Sequence, residues 1–245
     1  MTKTELERAA LELWRRSPAI LVAVAHPDDA EVRFGGTILR LADEGARVTI
    51  VVATDGAKSC LDEGLPAAAV ARMRRGEQLA AARLAGVREV IFLGYPDGGL
   101  ESRAEPLKER LTYIIRKLKP RSLYTYDPTT HYFVSDAYPH ISGPINHPDH
   151  RAVGKAALDA MTASPMPRYY PRQIKEGLAP WRVEEAFLNA TLRPNMRVDI
   201  RPYLARKRRL LEVYKSQAGD RVQILGLAKG ERAFRRLRCV PTEMD

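Results

Sequence analysis

Two cysteines, five histidines and an aromatic fraction of 7% are what this chain has least of, and each shortage narrows what it can be. Cys60 and Cys239 cannot build a disulfide framework, so they read as reduced thiols of a cytoplasmic protein. No apolar run nears the ~20 residues of a membrane span. The charged start Met1-Thr2-Lys3-Thr4-Glu5-Leu6-Glu7 has no signal-peptide character and leads into an amphipathic helix expected over 4–15. Neither G-x-G-x-x-G nor GK[S/T] is complete, so Gly35-Gly36 reads as close helix packing rather than as a phosphate loop. There is no internal repeat and no low-complexity segment.

Basic charge is plentiful but local. The chain carries a net charge of +10, and residues 201–240 hold 12 Lys/Arg against 3 Asp/Glu, which leaves the rest nearly neutral. Apart from Tyr214 and Phe234 no aromatic platform accompanies the basic run, so a solvated helix face or subunit contact is preferred to an anionic partner. Nucleic acid is therefore an unfavoured partner, retained as an alternative reading.

The 245 residues suit one α/β domain over 1–245, with 201–245 as a basic C-terminal helical segment. Ala19–Ala25 (AILVAVA) and Val48–Ala53 are short apolar runs of the kind that form strands buried on both faces, Val90–Leu93 is a third strand and Ser122–Tyr126 a fourth. Helices are expected from Gly35-Gly36-Thr37 to Glu44, over 67–84 and 104–118, and from His150 to Met161, with Gly45 and Gly86 as C-terminal stops. Alternating strand and helix predicts a Rossmann-like, mainly parallel sheet with helices on both faces. Val183–Leu192 and Met196–Ile200 read as late, antiparallel strands. Pro165–Pro180 reads as irregular, and the tail after Gly219 as a helical cap.

Three of the five histidines lie in two short segments, Ala25-His26-Pro27-Asp28-Asp29-Ala30-Glu31 and His147-Pro148-Asp149-His150. The first follows a strand directly, as do Asp55 and Asp97, and such strand ends line the ligand crevice of a parallel sheet. His147 and His150 share a face at a helix start, where Pro148 is tolerated. Two imidazoles and a carboxylate suit a catalytic zinc, which keeps three protein ligands and one open position; iron, nickel or cobalt would also accept them. The long stretch Asp127–Asn146, with His131 and His140, reads as a loop over the site.

AHPDDAEVRFGGT followed by NHPDHRAVG resembles the PIG-L/LmbE-like family of zinc-dependent N-deacetylases. Arg74-Arg75-Gly76-Glu77 and Leu93-Gly94-Tyr95-Pro96-Asp97-Gly98 extend the resemblance over roughly residues 18–160. It implies His26, Asp29 and His150 as ligands of one zinc ion per chain, Asp28 as general base, and His147 as the group that stabilises the oxyanion and protonates the leaving amine. It further implies Arg74 and Asp97 as substrate contacts; Asp149, by its place at the helix start, reads as a capping residue or one that orients a ligand histidine rather than as a ligand. The expected function is removal of an acetyl group from an N-acetylated amino-sugar or related small amide, and the expected assembly a homo-oligomer. A non-sugar amide or ester is the alternative substrate. Two departures stand out. The acid after the paired aspartates is Glu31 rather than residue 30, and Ile145 occupies a position where some relatives have tyrosine, which Tyr132 or Tyr138 would have to replace.

Overall fold

The computed structural model describes residues 19–60, 62–132, 145–217 and 233–238. Among these residues seven strands run in the order β3-β2-β1-β4-β5-β7-β6. They are β1 (Ala19–Val24), β2 (Arg47–Thr54), β3 (Glu89–Tyr95), β4 (Ser122–Tyr126), β5 (Glu185–Asn189), β6 (Met196–Arg197) and β7 (Ala233–Arg238). The first five in that spatial order are parallel, and β7 is antiparallel to both β5 and β6. The helices are α1 (Asp29–Asp43), α2 (Ala67–Leu84), α3 (Ala104–Leu118), α4 (Pro148–Ala163), α5 (Pro171–Lys175) and α6 (Leu204–Leu211). α6 packs on α1 and α2, whereas α3 packs on α4 and α4 on β1 and β4, so the sheet is covered on both faces.

The strands form where apolar residues can be buried from both sides. Ile20 to Val24 of β1 and Ile50, Val51 and Val52 of β2 are fully enclosed. Each large apolar side chain among them contributes about 1.5–3 kcal/mol by leaving water. Gly45 at φ 84 and Gly86 at φ 74 end α1 and α2 in the left-handed conformation that favours glycine. The chain winds one way from β1 to β2 and β3, and the other way through β4 and β5. The sheet's direction of winding thus reverses between β1 and β4, and the carboxyl ends of these two strands flank the crevice.

Several expectations need correction. α1 starts at Asp29, not after Thr37, so Gly35 and Gly36 are buried inside the helix. α4 begins at Pro148, and the irregular 165–180 stretch contains the short helix α5. Of the two late strands, β5 is parallel to β4 and antiparallel to β7, whereas β6 spans two residues and is antiparallel to β7. The basic C-terminal segment is helical only in part. Its described residues form a 3₁₀ turn at Arg201–Tyr203, α6, a 3₁₀ turn at Lys215–Gln217 and, at Ala233–Arg238, strand β7 in place of the expected helical cap. β7 forms because β5 would otherwise expose its hydrogen-bonding edge. Phe234 is buried against Phe34, ring planes 11° apart, and Arg236 pairs with Glu185 across the strands. The expected helix over 4–15, residues 218–232 and Cys239 lie outside the described residues. Cys60 is a free thiol.

A buried arginine that sequence reasoning passed over braces the region after α4. Arg116 on α3 donates to the backbone oxygens of Ala163, Ser164, Met166 and Tyr169 and to Gln173 Oε1. It adds to the backbone bonds that the Ala163, Ser164 and Met166 carbonyls already accept, and so ties the end of α4 and the turns after it to α3.

The basic segment is partly neutralised within the molecule. Arg206 pairs with Asp43 at 2.5 Å, and the buried Lys207 donates to the Val32 carbonyl at 2.8 Å. These charges hold α6 on α1. Among the described residues no helix is long and apolar enough to cross a membrane.

Candidate active site

At the carboxyl end of β1 the chain turns sharply into α1. The His26 N–H donates to Asp29 Oδ2 at 2.7 Å, closing the turn, and Asp28 is carried at φ 103. A non-glycine residue there costs about 1–3 kcal/mol and persists only where its surroundings over-determine it. Those surroundings come from α2. Arg74 is buried and donates to the Pro27 carbonyl at 2.6 Å, to Asp28 Oδ2 at 3.0 Å and to the Gly56 carbonyl at 2.8 Å. One helical turn further on, Gln78 Oε1 accepts the Asp28 N–H at 3.0 Å. Arg75, its neighbour in sequence, lies instead on the Phe92 ring, 4.0 Å from its centroid.

Asp29 lies between two imidazoles. Its Oδ2 is 3.3 Å from His26 Nδ1 and its Oδ1 is 3.2 Å from His150 Nε2. The His150 ring is stacked flat on Tyr126 of β4, centroids 4.2 Å apart, which fixes its plane. The far nitrogen of His26, Nε2, faces Asp97 Oδ1 at 3.1 Å and Asp149 Oδ2 at 3.4 Å without an aligned hydrogen bond. Asp149 also accepts the N–H groups of Gly98 and Leu100, and Asp97 that of Lys58. Two carboxylates behind Nε2 favour a proton there, which leaves the Nδ1 lone pair for the Asp29 side. Asp97 thus backs His26, a role that the expectation of a substrate contact did not contain.

His147 caps α4. Its Nδ1 accepts the Asp149 N–H at 3.1 Å, so the neutral ring carries its proton on Nε2. Its centroid is 4.7 Å from that of His26 and 5.2 Å from that of His150. His26, Asp28, Arg74, Asp97, His147 and His150 border one cavity of about 330 Å³, at the small end of ligand pockets. Lys58, Ser59, Ile145 and Gln217 form its outer wall. Sequence reasoning did not name Lys58, Ser59, Gln78 or Gln217. Gln78 had a signal, since it is a polar residue four positions from Arg74 on the same helix face. Tyr132 pairs its backbone with Ile145 and is exposed, while Tyr138 and His140 lie outside the described residues. Asp55 is structural: its Oδ1 accepts the N–H groups of Ala57 and Asp97.

The two adjacent aspartates are electrostatic opposites. Burial and the negative charge of Asp29 push Asp28 up to about 6, against the pull of Arg74 and His26. Burial would raise Asp29 too, but the two imidazoles outweigh it and hold the group well below the usual carboxylate range. Burial works to lower His26, yet Asp149, Asp29 and Asp97 lift it well above its ordinary value. Burial takes His150 down to about 4, despite Asp29, and also lowers His147, helped there by the positive charge of His26.

His26, His147 and His150 bring ligand atoms within 4.8 Å of one another, as do His26, Asp97 and Asp149. The donor chemistry accommodates a divalent metal: imidazole nitrogens and carboxylate oxygens converge, and the carboxylate between the two rings is ionised.

Residues 21–161, more than half of the chain, match the family described as PIG-L: GlcNAc-PI de-N-acetylase. The diacetylchitobiose deacetylase of Thermococcus kodakarensis is 29% identical over 198 residues, covering 81% of this chain and 69% of that protein. The 1D-myo-inositol 2-acetamido-2-deoxy-alpha-D-glucopyranoside deacetylase of Streptomyces avermitilis is 30% identical over 71% of this chain, which spans 62% of that relative's length. Among solved structures, the N,N'-diacetylchitobiose deacetylase from Pyrococcus horikoshii, in complex with an inhibitor, superimposes with a TM-score of 0.80 at 29% identity. It covers 96% of this chain and 91% of its own.

Proposed function

Because the chain belongs to the PIG-L family, we propose that it is a metal-dependent amidohydrolase that removes the acetyl group from an N-acetylated amino-sugar. The observation that carries this reading is the division between the paired aspartates. Asp29 is held ionised between two imidazoles, whereas Asp28 stands beside them with its basicity raised toward neutral pH. The relatives named as deacetylases of acetylated sugars support the substrate class.

His26, Asp29 and His150 would hold the metal, with zinc the ion their chemistry suits best. Once bound, such an ion polarises an amide carbonyl and makes water more acidic. Asp28 accepts the proton of the attacking water, and Arg74 keeps its carboxylate aimed at the cavity. A base of pKa about 6 is matched to that task at neutral pH. His147 donates a hydrogen bond from its Nε2–H to the oxygen that gains negative charge, and the proton that Asp28 took from the water passes on to the nitrogen that leaves, which restores the base. Asp97 and Asp149 keep His26 in the required tautomer. A homo-oligomer and a cytoplasmic location belong to the same proposal, and sedimentation at micromolar concentration tests the first.

Metal analysis of the purified protein, combined with a panel of N-acetyl-sugars, acyclic amides and esters, is the deciding experiment. One metal ion per chain and release of acetate from the sugars are expected. Acetate released only from the non-sugar compounds would transfer the site to the alternative substrate class, and a protein that binds no metal would end the reading.

A further inference from the structure

The strained backbone of Asp28 is tied to the far end of the chain. The Asp28 N–H can only donate, so Gln78 must turn its oxygen to it. The Gln78 amide nitrogen then points the other way and donates to Glu31 Oε1 at 2.9 Å. The second oxygen of Glu31 accepts the Tyr214 hydroxyl at 2.7 Å, across 183 positions of sequence. Gln78 and Glu31 are fully buried, and Tyr214 is 3% exposed, so no water competes for these bonds. The direction of these bonds is therefore fixed from the Asp28 N–H through Gln78 to Glu31, and the Tyr214 hydroxyl holds the second Glu31 oxygen.

The segment that brings Tyr214 is itself seated on the walls of the site. Ser216 donates its N–H to Glu77 Oε1 at 2.9 Å and its hydroxyl to Glu77 Oε2. Gln217 exchanges hydrogen bonds with Ser59 at the cavity mouth. Tyr214 lies beyond residues 21–161, so the family match does not cover it.

We propose that Tyr214 is a positioning residue: by completing the chain through Glu31 and Gln78 it fixes the backbone of Asp28, and with it the direction of the base. The inference rests on the reading of Asp28 as base. Its content is that a hydroxyl without access to the substrate sets the rate of the chemical step and leaves substrate binding alone.

The test measures kcat and KM of metal-loaded Tyr214→Phe, Gln78→Leu and the double variant on an N-acetylglucosamine-type substrate, with metal content and folded fraction determined for each. Small misplacements of a catalytic group cost up to about 10²-fold. Tyr214→Phe, which keeps the ring, is therefore expected to lower kcat about tenfold with KM within about twofold. Gln78→Leu loses at least as much, and the double variant no more than Gln78→Leu, because the chain is already cut at its last link. A folded, metal-loaded Tyr214→Phe with full kcat overturns the inference, as do losses that multiply in the double variant. Should Tyr214→Phe not fold, Glu31→Gln and Glu31→Leu ask the same question one link in. Glu31→Gln keeps an acceptor for Gln78 and must lose clearly less than Glu31→Leu, and equal losses refute the chain. Asp28→Asn separates the two levels: if it still turns over, the base assignment fails. If it is silent while Tyr214→Phe runs at full rate, only the role of Tyr214 fails.

Discussion

At the start of α4, His147-Pro148-Asp149-His150 obeys rules confined to one helical turn. Pro148 takes the first position, where its missing N–H is not needed, and the His147 ring caps the Asp149 N–H. At the end of β1, His26-Pro27-Asp28-Asp29 closes its turn locally through the His26 N–H and Asp29 Oδ2, but that bond does not hold Asp28. Its third residue, Asp28, sits at φ 103 with no capping bond from its own side chain, and the turn is held by α2, by the Gly56 loop and by the segment around Tyr214. Both segments supply one half of the same site. The second is shaped by short-range chemistry, the first by partners from across the fold, and damage to each should therefore spread differently.

The largest expected effect tests whether the first segment contains two functions in adjacent residues. Asp28→Asn removes the base but leaves Asp29 between its imidazoles. It should lower kcat by about 10²–10⁴-fold with the metal retained, as acetate release and metal analysis would show. Asp29→Asn should instead lose the metal. If both variants lose the metal alike, Asp28 is a ligand, and the contrast between the two aspartates disappears.

Gly56→Ala strikes the first segment from outside it. At φ 65 the position disfavours a side chain, and a Cβ would come within 2.7 Å of Pro27 Cδ and 2.8 Å of Arg74 Nη1. Relief requires moving the arginine that carries Asp28. A loss of about 1–3 kcal/mol in stability is expected, accompanied by a fall in kcat. Thermal unfolding together with steady-state rates would check it. A variant that loses stability but keeps kcat would show that Arg74 does not transmit the strain.

The contrast also explains what could be read from the chain beforehand. Strand β1, helices α2 and α3 and the stops at Gly45 and Gly86 follow from apolar runs and glycine, which are local signals. The pairing of His147 with His150 was visible for the same reason. Glu31 showed itself only as a displaced acid, because its meaning depends on Tyr214, and no spacing rule links residues so far apart. Asp97 was recognisable as a strand-end carboxylate. A Pro-Asp-Gly turn does not say which side chain its carboxylate meets, so its place behind His26 had to come from the fold. Strand β7 escaped notice because four arginines in Arg232–Arg238 suggest a helix face, whereas the free edge of β5 and the charge of Glu185 decide the matter.

The acid limb of activity gauges how firmly the first segment holds its base. Asp28 is raised to about 6, so its carboxylate is ionised above that pH and is lost as pH falls through it. A bound cation adds to Arg74 in favouring the charged form, so the limb should fall at or below pH 6. One pH unit below the limb, kcat/KM should be down about tenfold. A limb near pH 7 would point to another group.

The smallest effect belongs to the second segment. Pro148→Ala leaves the His147 cap and every helical hydrogen bond in place, since the first turn needs no donor there. Its cost comes from the unfolded chain, which regains freedom that the ring had removed, about 0.4–1 kcal/mol. Stability measured by denaturant should drop by that amount while kcat and metal content stay at wild-type values. A marked fall in kcat would mean that the ring also orients His147 toward the cavity. The second segment would then depend on more than one turn of helix, and the two halves of the site would be alike after all.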